Sequence, residues 1–100
     1  MAEQAIIAVK LADIDNVASI FADVATGTTV LVRDNKGKSF ELVSKAEIPY
    51  GHKICIKPVK RNEPILKYGE EIGIASKDIA PGEHVHVHNL DSNRGRGDRK

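Results

Sequence analysis

A short motif recurs in this chain and constrains its fold more than any other feature. An apolar residue is followed by two turn-forming residues, a glycine, two polar residues and another apolar residue in segments 48–54 and 79–85. Segment 59–65 repeats the pattern with Asn62 in place of glycine, and segment 24–30 follows it more loosely. Gly and Asn enter the left-handed backbone region at low cost, so each copy predicts a buried anchor, a tight turn and a strand start. The copies are unevenly spaced, which excludes a solenoid and predicts a compact, mostly β domain.

A β-hairpin and a short helix are predicted in the first half of the chain. Residues 28–33 and 39–43 are β-branched or alternating runs, and the turn-forming segment 34–38 lies between them, so the two runs are expected to pair. Residues 13–22 have the only helical spacing and predict one short helix near the N-terminus, with an apolar face of Ile14, Val17, Ala18 and Phe21. The centre of that segment would also suit a strand.

Length and composition limit the classes of function. The chain has 100 residues, 15 basic and 14 acidic side chains and a net charge of +1, so it is one domain that charge does not drive onto nucleic acid or a membrane. The single cysteine, Cys55, excludes a disulfide framework and a cysteine-based zinc site, and we expect it to pack in a strand.

No apolar run approaches the roughly 20 residues of a membrane span, and the N-terminus does not resemble a signal peptide, so a cytoplasmic protein is expected. Residues 1–90 should form the domain and the polar segment 91–100 a disordered tail.

Three of the four histidines, His84, His86 and His88, alternate along one segment. On a strand they would share one face, with the valines between them pointing into the core. Neighbouring histidines would lie about 6.7 Å apart at Cα, so two adjacent imidazoles can converge on a metal ion about 2.1 Å from each, whereas all three cannot. Further ligands would come from elsewhere, such as His52 or another chain. The same residues suit anion binding or acid–base catalysis near neutral pH, and a solvated face without function is the alternative.

Two weaker candidates lie near turns. His52 and Lys53 follow a glycine turn, where an imidazole and a cation could meet an anionic substrate, although an ordinary surface turn explains them as well. Tyr68 could present its phenol at the turn before Gly69, and the alternative is a half-buried packing role.

The sequence from Ile48 to Leu90 resembles a SAF domain. It is most similar to the N-terminal domain or small subunit of the altronate and galactarate dehydratase family, whose relatives include the small subunit of sulfolactate sulfo-lyase. Three ordered motifs carry this resemblance, in segments 48–54, 62–73 and 78–90. The first 40 residues add little to it.

The resemblance implies a β-clip fold and a lyase that depends on a divalent metal, iron(II) in several relatives. Such an enzyme eliminates water from a small anionic hydroxy acid, such as altronate or galactarate. Longer relatives continue into a large catalytic domain, so the resemblance implies a separate large catalytic subunit as the partner, with neither nucleic acid nor membrane. The alternatives are a sulfolactate sulfo-lyase small subunit, which would release sulfite, a non-catalytic substrate-binding or assembly module of SAF type, and a stand-alone metal-binding protein.

The resemblance also implies site residues by motif position. His52, His86 and His88 match positions expected to act in catalysis, and His86 and His88 are the expected metal ligands. The substrate-binding residues implied in the same way are Lys53, Tyr68 and Asn89. His84 stands where the family often has an aromatic residue, which makes it the least secure of the alternating histidines.

Overall fold

The fold is known from a computed structural model, which describes residues 6–92. Within this range the chain forms strands and turns and no helix. The strands are β1 (Ile6–Val9), β2 (Val17–Ile20), β3 (Thr29–Arg33), β4 (Ser39–Val43), β5 (Lys53–Cys55), β6 (Pro64–Lys67), β7 (Glu70–Ala75), β8 (His84–Val85) and β9 (Leu90–Ser92). The prediction of a mostly β fold is therefore confirmed. None of the described residues belongs to a helix long and apolar enough to cross a membrane.

Two sheets organise these strands. One has six strands in the order β4-β3-β1-β2-β5-β8, and the other has three in the order β6-β7-β9. Strands β1 and β3 are parallel, and every other pairing among the named strands is antiparallel. The predicted hairpin is confirmed as β3 and β4, which pair from Thr29 opposite Val43 to Arg33 opposite Ser39.

The anchors of the four motif copies pair with one another. Val24 pairs with Ile48 and Val59 with Ile79, in each case through two backbone hydrogen bonds of 2.8–2.9 Å. All four anchor side chains are buried. The repeated motif is thus a structural device that joins distant parts of the chain in two equivalent pairs.

The turn after each anchor has the backbone that the motif predicts. The fourth residue of each copy has a positive φ, with values of 88°, 86°, 78° and 95° at Gly27, Gly51, Asn62 and Gly82. Around each of them an amide donates to the carbonyl three residues earlier, at 2.9–3.1 Å, which is a type II turn. Strands β3, β5, β6 and β8 each begin five residues after an anchor. The interpretation as anchor, turn and strand start is confirmed for all four copies.

The predicted helix over residues 13–22 is wrong. Strand β2 occupies its centre and lies between β1 and β5. All four of its residues are buried, because Val17 packs in one core cluster while Ala18 and Ile20 pack in the other. Ile14 and Phe21, which the helix would have buried, are 55% and 52% exposed. A strand covered on both faces gives a continuous apolar run, and the apolar Ile14 and Phe21 on either side of this run completed a helical spacing.

Two apolar clusters form the core, and β5 contributes to both. Ile54 belongs to the first cluster and Cys55 to the second. The Cys55 thiol is buried, donates to the carbonyl of Lys57 at 2.9 Å and has a pKa raised to about 11, chiefly by burial. This confirms the expected packing role of Cys55. Strand β9 extends to Ser92, and residues 93–100, where most of the predicted tail lies, are outside the described range.

Candidate metal centre

Strands β5 and β8 bring three histidines to one face of the large sheet. In their antiparallel register Lys53 lies opposite Val85 and Ile54 opposite His84. His52 precedes β5 and His86 follows β8, so alternation places both on the same face as His84. The type II turn at Gly51 directs the chain into β5, which means that the second motif copy positions His52.

The three imidazoles are closely packed. One ring nitrogen from each of His52, His84 and His86 lies within 4.8 Å of the other two. The rings of His52 and His86 stack with centroids 3.8 Å apart and an interplanar angle of 12°. Nδ1 of His52 and Nε2 of His84 are 2.8 Å apart and share a hydrogen bond. This arrangement concentrates three nitrogen donors in a small volume.

The strand predicted to run through His88 is wrong. β8 ends at Val85, and the chain then turns, with the amide of Asn89 donating to the carbonyl of His86 at 3.0 Å. Val87, expected in the core, is 78% exposed because it lies on this turn. The exposed His88 ring still approaches that of His84, at 5.0 Å between centroids, but His88 lies outside the group of three.

The buried side chain of Asn89 shapes this turn. Its Oδ1 accepts from the amide of His86 at 3.0 Å, and its Nδ2 donates to the carbonyl of His84 at 2.9 Å. Both ends of the side-chain amide are therefore engaged with the backbone that carries the two histidines. A role of Asn89 in binding substrate stays a prediction.

The surroundings keep two of the imidazoles neutral. The pKa of His84 is lowered to about 4, first by burial and then by the charges of the neighbouring histidines and Lys53. Burial also lowers the pKa of His86, with His52, Lys53 and His88 adding to the effect. Because a metal binds the unprotonated nitrogen, these shifts leave both rings ready to bind one at neutral pH.

The donor set fits a divalent metal. Nδ1 of His86 is buried and has no hydrogen-bond partner among residues 6–92, a costly state for a ring nitrogen. Imidazoles suit iron, zinc and related ions, and three of them leave coordination positions open. Two nitrogens bound to one metal at about 2.1 Å lie roughly 3.0–3.4 Å apart. The three ring nitrogens lie within 4.8 Å of one another, so small side-chain rotations would bring them to this spacing.

The structure groups the predicted residues differently from the sequence pattern. His52 and His86 are brought together, while His84, the least secure position in the resemblance, is the third member and His88 is not in the group. Only the pairing of β5 with β8 could have revealed that His52 joins His84 and His86, since this pairing sets Ile54 opposite His84. The assigned roles of these residues stay predictions.

The predicted substrate-binding residues Lys53 and Tyr68 belong to a second cluster. Lys53 is the cross-strand partner of Ser19, and the hydroxyl of Tyr68 donates to Oγ of Ser19 at 2.8 Å. Nζ of Lys67 lies 5.0 Å from the centre of the Tyr68 ring. Burial, followed by the charge of Lys67, lowers the pKa of Lys53. We call Ser19, Lys53, Lys67 and Tyr68 the lysine–tyrosine cluster.

A buried carboxylate supports this cluster, and sequence reasoning missed it. Asp15 is fully buried, and its Oδ1 accepts from the amide of Gly69 at 2.8 Å while Oδ2 accepts from the amides of Leu11 and Ala12 at 3.1 Å. It thereby fixes the turn that carries Tyr68, whose φ is 55°. No signal in the sequence pointed to Asp15, because the Gly69 amide that it accepts from is 54 residues away.

Comparisons with known proteins show which family this chain is similar to. The family model for the altronate/galactarate dehydratase SAF domain matches residues 6–93. Altronate dehydratase of Bacillus subtilis (strain 168) is 41% identical over 85 residues, which cover 85% of this chain and 16% of that protein. Galactarate dehydratase (L-threo-forming) of Escherichia coli (strain K12) is 36% identical over 77 residues, covering 77% of this chain and 14% of that protein.

A shorter relative is matched over almost its whole length. The (2R)-sulfolactate sulfo-lyase subunit alpha of Paracoccus pantotrophus is 42% identical over 65 residues, which cover 65% of this chain and 94% of that subunit. The chain thus spans less than a fifth of the two dehydratases and nearly all of the sulfo-lyase subunit.

Proposed function

This chain belongs to the altronate/galactarate dehydratase SAF domain family, and on that basis we propose that it is the small subunit of a metal-dependent lyase. The proposed reaction is β-elimination of water from a sugar acid such as altronate or galactarate. The proposal includes a large catalytic subunit as the partner, because the sulfo-lyase relative that is matched over 94% of its length is itself named as a subunit.

The observation that carries the proposal is the three-histidine group with its unpartnered Nδ1 of His86. His52, His84 and His86 would hold the metal, for which iron(II) is our first candidate. The bound ion would polarise a hydroxyl oxygen of the substrate and so favour departure of the leaving group.

Other side chains of this chain would hold the substrate and move protons. The exposed imidazole of His88, whose ring lies 5.0 Å from that of His84, would serve as an acid–base group towards a bound hydroxy acid. His52 and His86 remain candidates for the same role. Lys53 provides a positive charge for an anionic substrate, Tyr68 a phenol, and Asn89 keeps the turn before β9 in shape.

The test combines metal binding with turnover. The chain is co-expressed with the large-domain homologue of the same genome, and the purified pair is assayed with altronate and galactarate under anaerobic conditions with iron(II). We expect elimination by the pair and a loss of at least tenfold in metal affinity, with loss of activity, for His86→Ala. His88→Ala should retain the metal and lose turnover. Full activity and metal content in both variants would refute the assignment.

A second candidate function is supported by one specific observation. The 65 residues matched in the sulfo-lyase subunit alpha make up 94% of that subunit, so the chain could instead serve a sulfo-lyase acting on sulfolactate. The same purified pair distinguishes the two, because the sulfo-lyase would release sulfite and the dehydratase would not. Tight metal binding without turnover on any of the three acids would favour a non-catalytic module.

A further inference from the structure

We propose that the lysine–tyrosine cluster of Ser19, Lys53, Lys67 and Tyr68 is a binding site for the carboxylate group of a small hydroxy acid. This inference rests on the proposed function and deepens it, since it assigns the acid group of the substrate to particular residues. It adds Ser19 and Lys67, which neither the motif pattern nor the family resemblance pointed to.

Three contacts bring the four residues together. Ser19 and Lys53 are directly opposite each other on β2 and β5, so their side chains leave the same face with Cβ atoms about 5 Å apart. The Tyr68 hydroxyl donates to Oγ of Ser19 at 2.8 Å, and Nζ of Lys67 lies 5.0 Å from the Tyr68 ring. The group therefore joins the large sheet to the β6–β7 hairpin.

Lys53 and Lys67 carry positive charge that no ion pair compensates among the described residues, although Glu70 lies opposite Lys67 in the β6–β7 register. Neither Lys53 nor Lys67 forms an ion pair among residues 6–92, where the ion pair found joins Lys36 to Asp13. Lys53 and Lys67 are both half-buried. Two half-buried like charges in one cluster oppose folding, and a bound anion would reduce that cost.

The hydroxyl groups of Ser19 and Tyr68 provide a hydrogen-bond donor, which also favours an anionic ligand. Ser19 and Tyr68 share one hydrogen bond of 2.8 Å between their hydroxyls, so the hydroxyl that accepts in it keeps its own proton for a further acceptor. Ser19 is only 6% exposed, so this donor lies in a sheltered place. Two ammonium groups and one hydroxyl donor match a carboxylate, which accepts through both of its oxygens.

The backbone at Tyr68 is held in a costly conformation. Its φ of 55° is rare for an aromatic residue, and the hydrogen bond from Gly69 to Asp15 fixes the turn. Such strain persists where surrounding contacts impose it, and it is frequent in ligand sites. Here it sets the phenol against Ser19, which is the cross-strand partner of Lys53.

The test follows the Tyr68 ring by NMR in the full chain. Tyr50→Phe leaves Tyr68 as the single tyrosine, so ¹³C-labelled tyrosine reports on this site alone. Sodium gluconate is titrated in the presence of EDTA, with sorbitol as the matched polyol without a carboxylate and sodium chloride as the control for ionic strength. We expect a saturable shift of the Tyr68 ring with gluconate and none with sorbitol or chloride.

Substitutions assign the binding to the cluster. Lys53→Met and Lys67→Met should each weaken gluconate binding at least fivefold, whereas Lys60→Met, at an exposed lysine elsewhere, should change it less than twofold. If Lys53→Met does not fold, Lys67→Met decides alone. A shift that does not saturate, that chloride reproduces or that the lysine variants leave intact overturns the site.

The outcome separates this inference from the proposed function. A saturable gluconate site in a pair that lacks lyase activity would refute the lyase and leave the carboxylate site standing. An active lyase whose Lys53→Met and Lys67→Met variants keep the parental KM would refute the site and leave the lyase standing.

Discussion

Nδ1 of His52 and Nε2 of His84 lie 2.8 Å apart and share one proton. Each neutral imidazole has one N–H, so one nitrogen of this pair donates and the other accepts. If both rings were protonated, two N–H groups would face each other at hydrogen-bond distance. The contact therefore exists only while at least one ring is neutral, which couples the fold of this region to pH.

The first prediction is a loss of stability on acidification that depends on His84. Its pKa in the folded chain is about 4, below the usual 6.5, so the unfolded chain binds more protons between these values. This contribution to the free energy of unfolding is complete above pH 6.5 and is lost as the pH falls towards 4. We expect a loss of ~2 kcal/mol, reduced from the full shift because the ring is partly exposed. Urea denaturation in EDTA at pH 7.5 and 4.5 measures it.

His84→Gln should remove this part of the pH dependence. His88→Gln is the matched control, because burial is the main cause of the shift at His84 and the exposed His88 contributes less. The same loss of stability on acidification in His84→Gln and in the parental chain would contradict the prediction.

The second prediction is that metal stabilises the folded chain. An ion that binds only the folded state raises the free energy of unfolding by about 2.7 kcal/mol at a concentration 100 times its Kd. Cobalt(II) is a convenient ion, because its absorption bands report its ligands during the same titration. His86→Gln should lose most of the stabilisation, since it removes the unpartnered Nδ1 that we assign to the metal. Equal stabilisation of the parental and His86→Gln chains would place the metal elsewhere.

The turns were predictable from the sequence because a positive φ is a local property. Asn62 replaces glycine in the third copy and takes the same left-handed conformation, with φ of 78°. The β3–β4 hairpin was predictable for the same reason, since its strands are joined by five residues. What the motif could not reveal was that Val24 pairs with Ile48 and Val59 with Ile79, because nothing in a single turn specifies its partner.

The site depended on distant pairings and was only partly predictable. Alternation suggested His84, His86 and His88 on one strand, but that strand ends at Val85, where Asn89 closes a turn. The helix over 13–22 failed because periodicity does not tell a strand buried on both faces from an amphipathic helix.

The third prediction compares two glycines with the same backbone conformation. A Cβ on Gly82 would lie 2.5 Å from the carbonyl oxygen of Val43 and 3.2 Å from Cγ of Lys45, whereas one on Gly51 would meet nothing within 4 Å. Both residues have a positive φ, so alanine costs about 1 kcal/mol of strain at either site. We expect Gly82→Ala to lower the free energy of unfolding by ~2 kcal/mol more than Gly51→Ala, because backbone must move. Urea denaturation compares them, and equal losses would contradict the close approach.

The fourth prediction concerns the buried carboxylate of Asp15. Burial tends to raise its pKa, but hydrogen bonds from backbone amides, that of Gly69 foremost, outweigh burial and lower it below the usual 3.8. The charged form therefore stabilises the fold above about pH 3.8, and this stabilisation is lost as the pH falls through the lower pKa of the folded chain. Asp15→Asn should cost about 2–3 kcal/mol at pH 7, because one accepting oxygen becomes an NH₂ group that faces backbone N–H groups.

Asp13→Asn is the matched control for this change. The Asp13 side chain is 74% exposed and its ion pair with Lys36, at 3.3 Å, is worth little in water, so its loss should cost less than about 1 kcal/mol, the upper range for such pairs. Urea denaturation at pH 7 and pH 3 compares the two variants, and the deficit of Asp15→Asn should shrink at pH 3. Amide exchange adds a local measurement, since only Asp15→Asn loses an oxygen that accepts either from Gly69 or from Leu11 and Ala12, and one of these sets of amides should exchange faster there. Equal stability and equal exchange of these amides in the two variants would mean that Asp15 does not hold the turn of Tyr68.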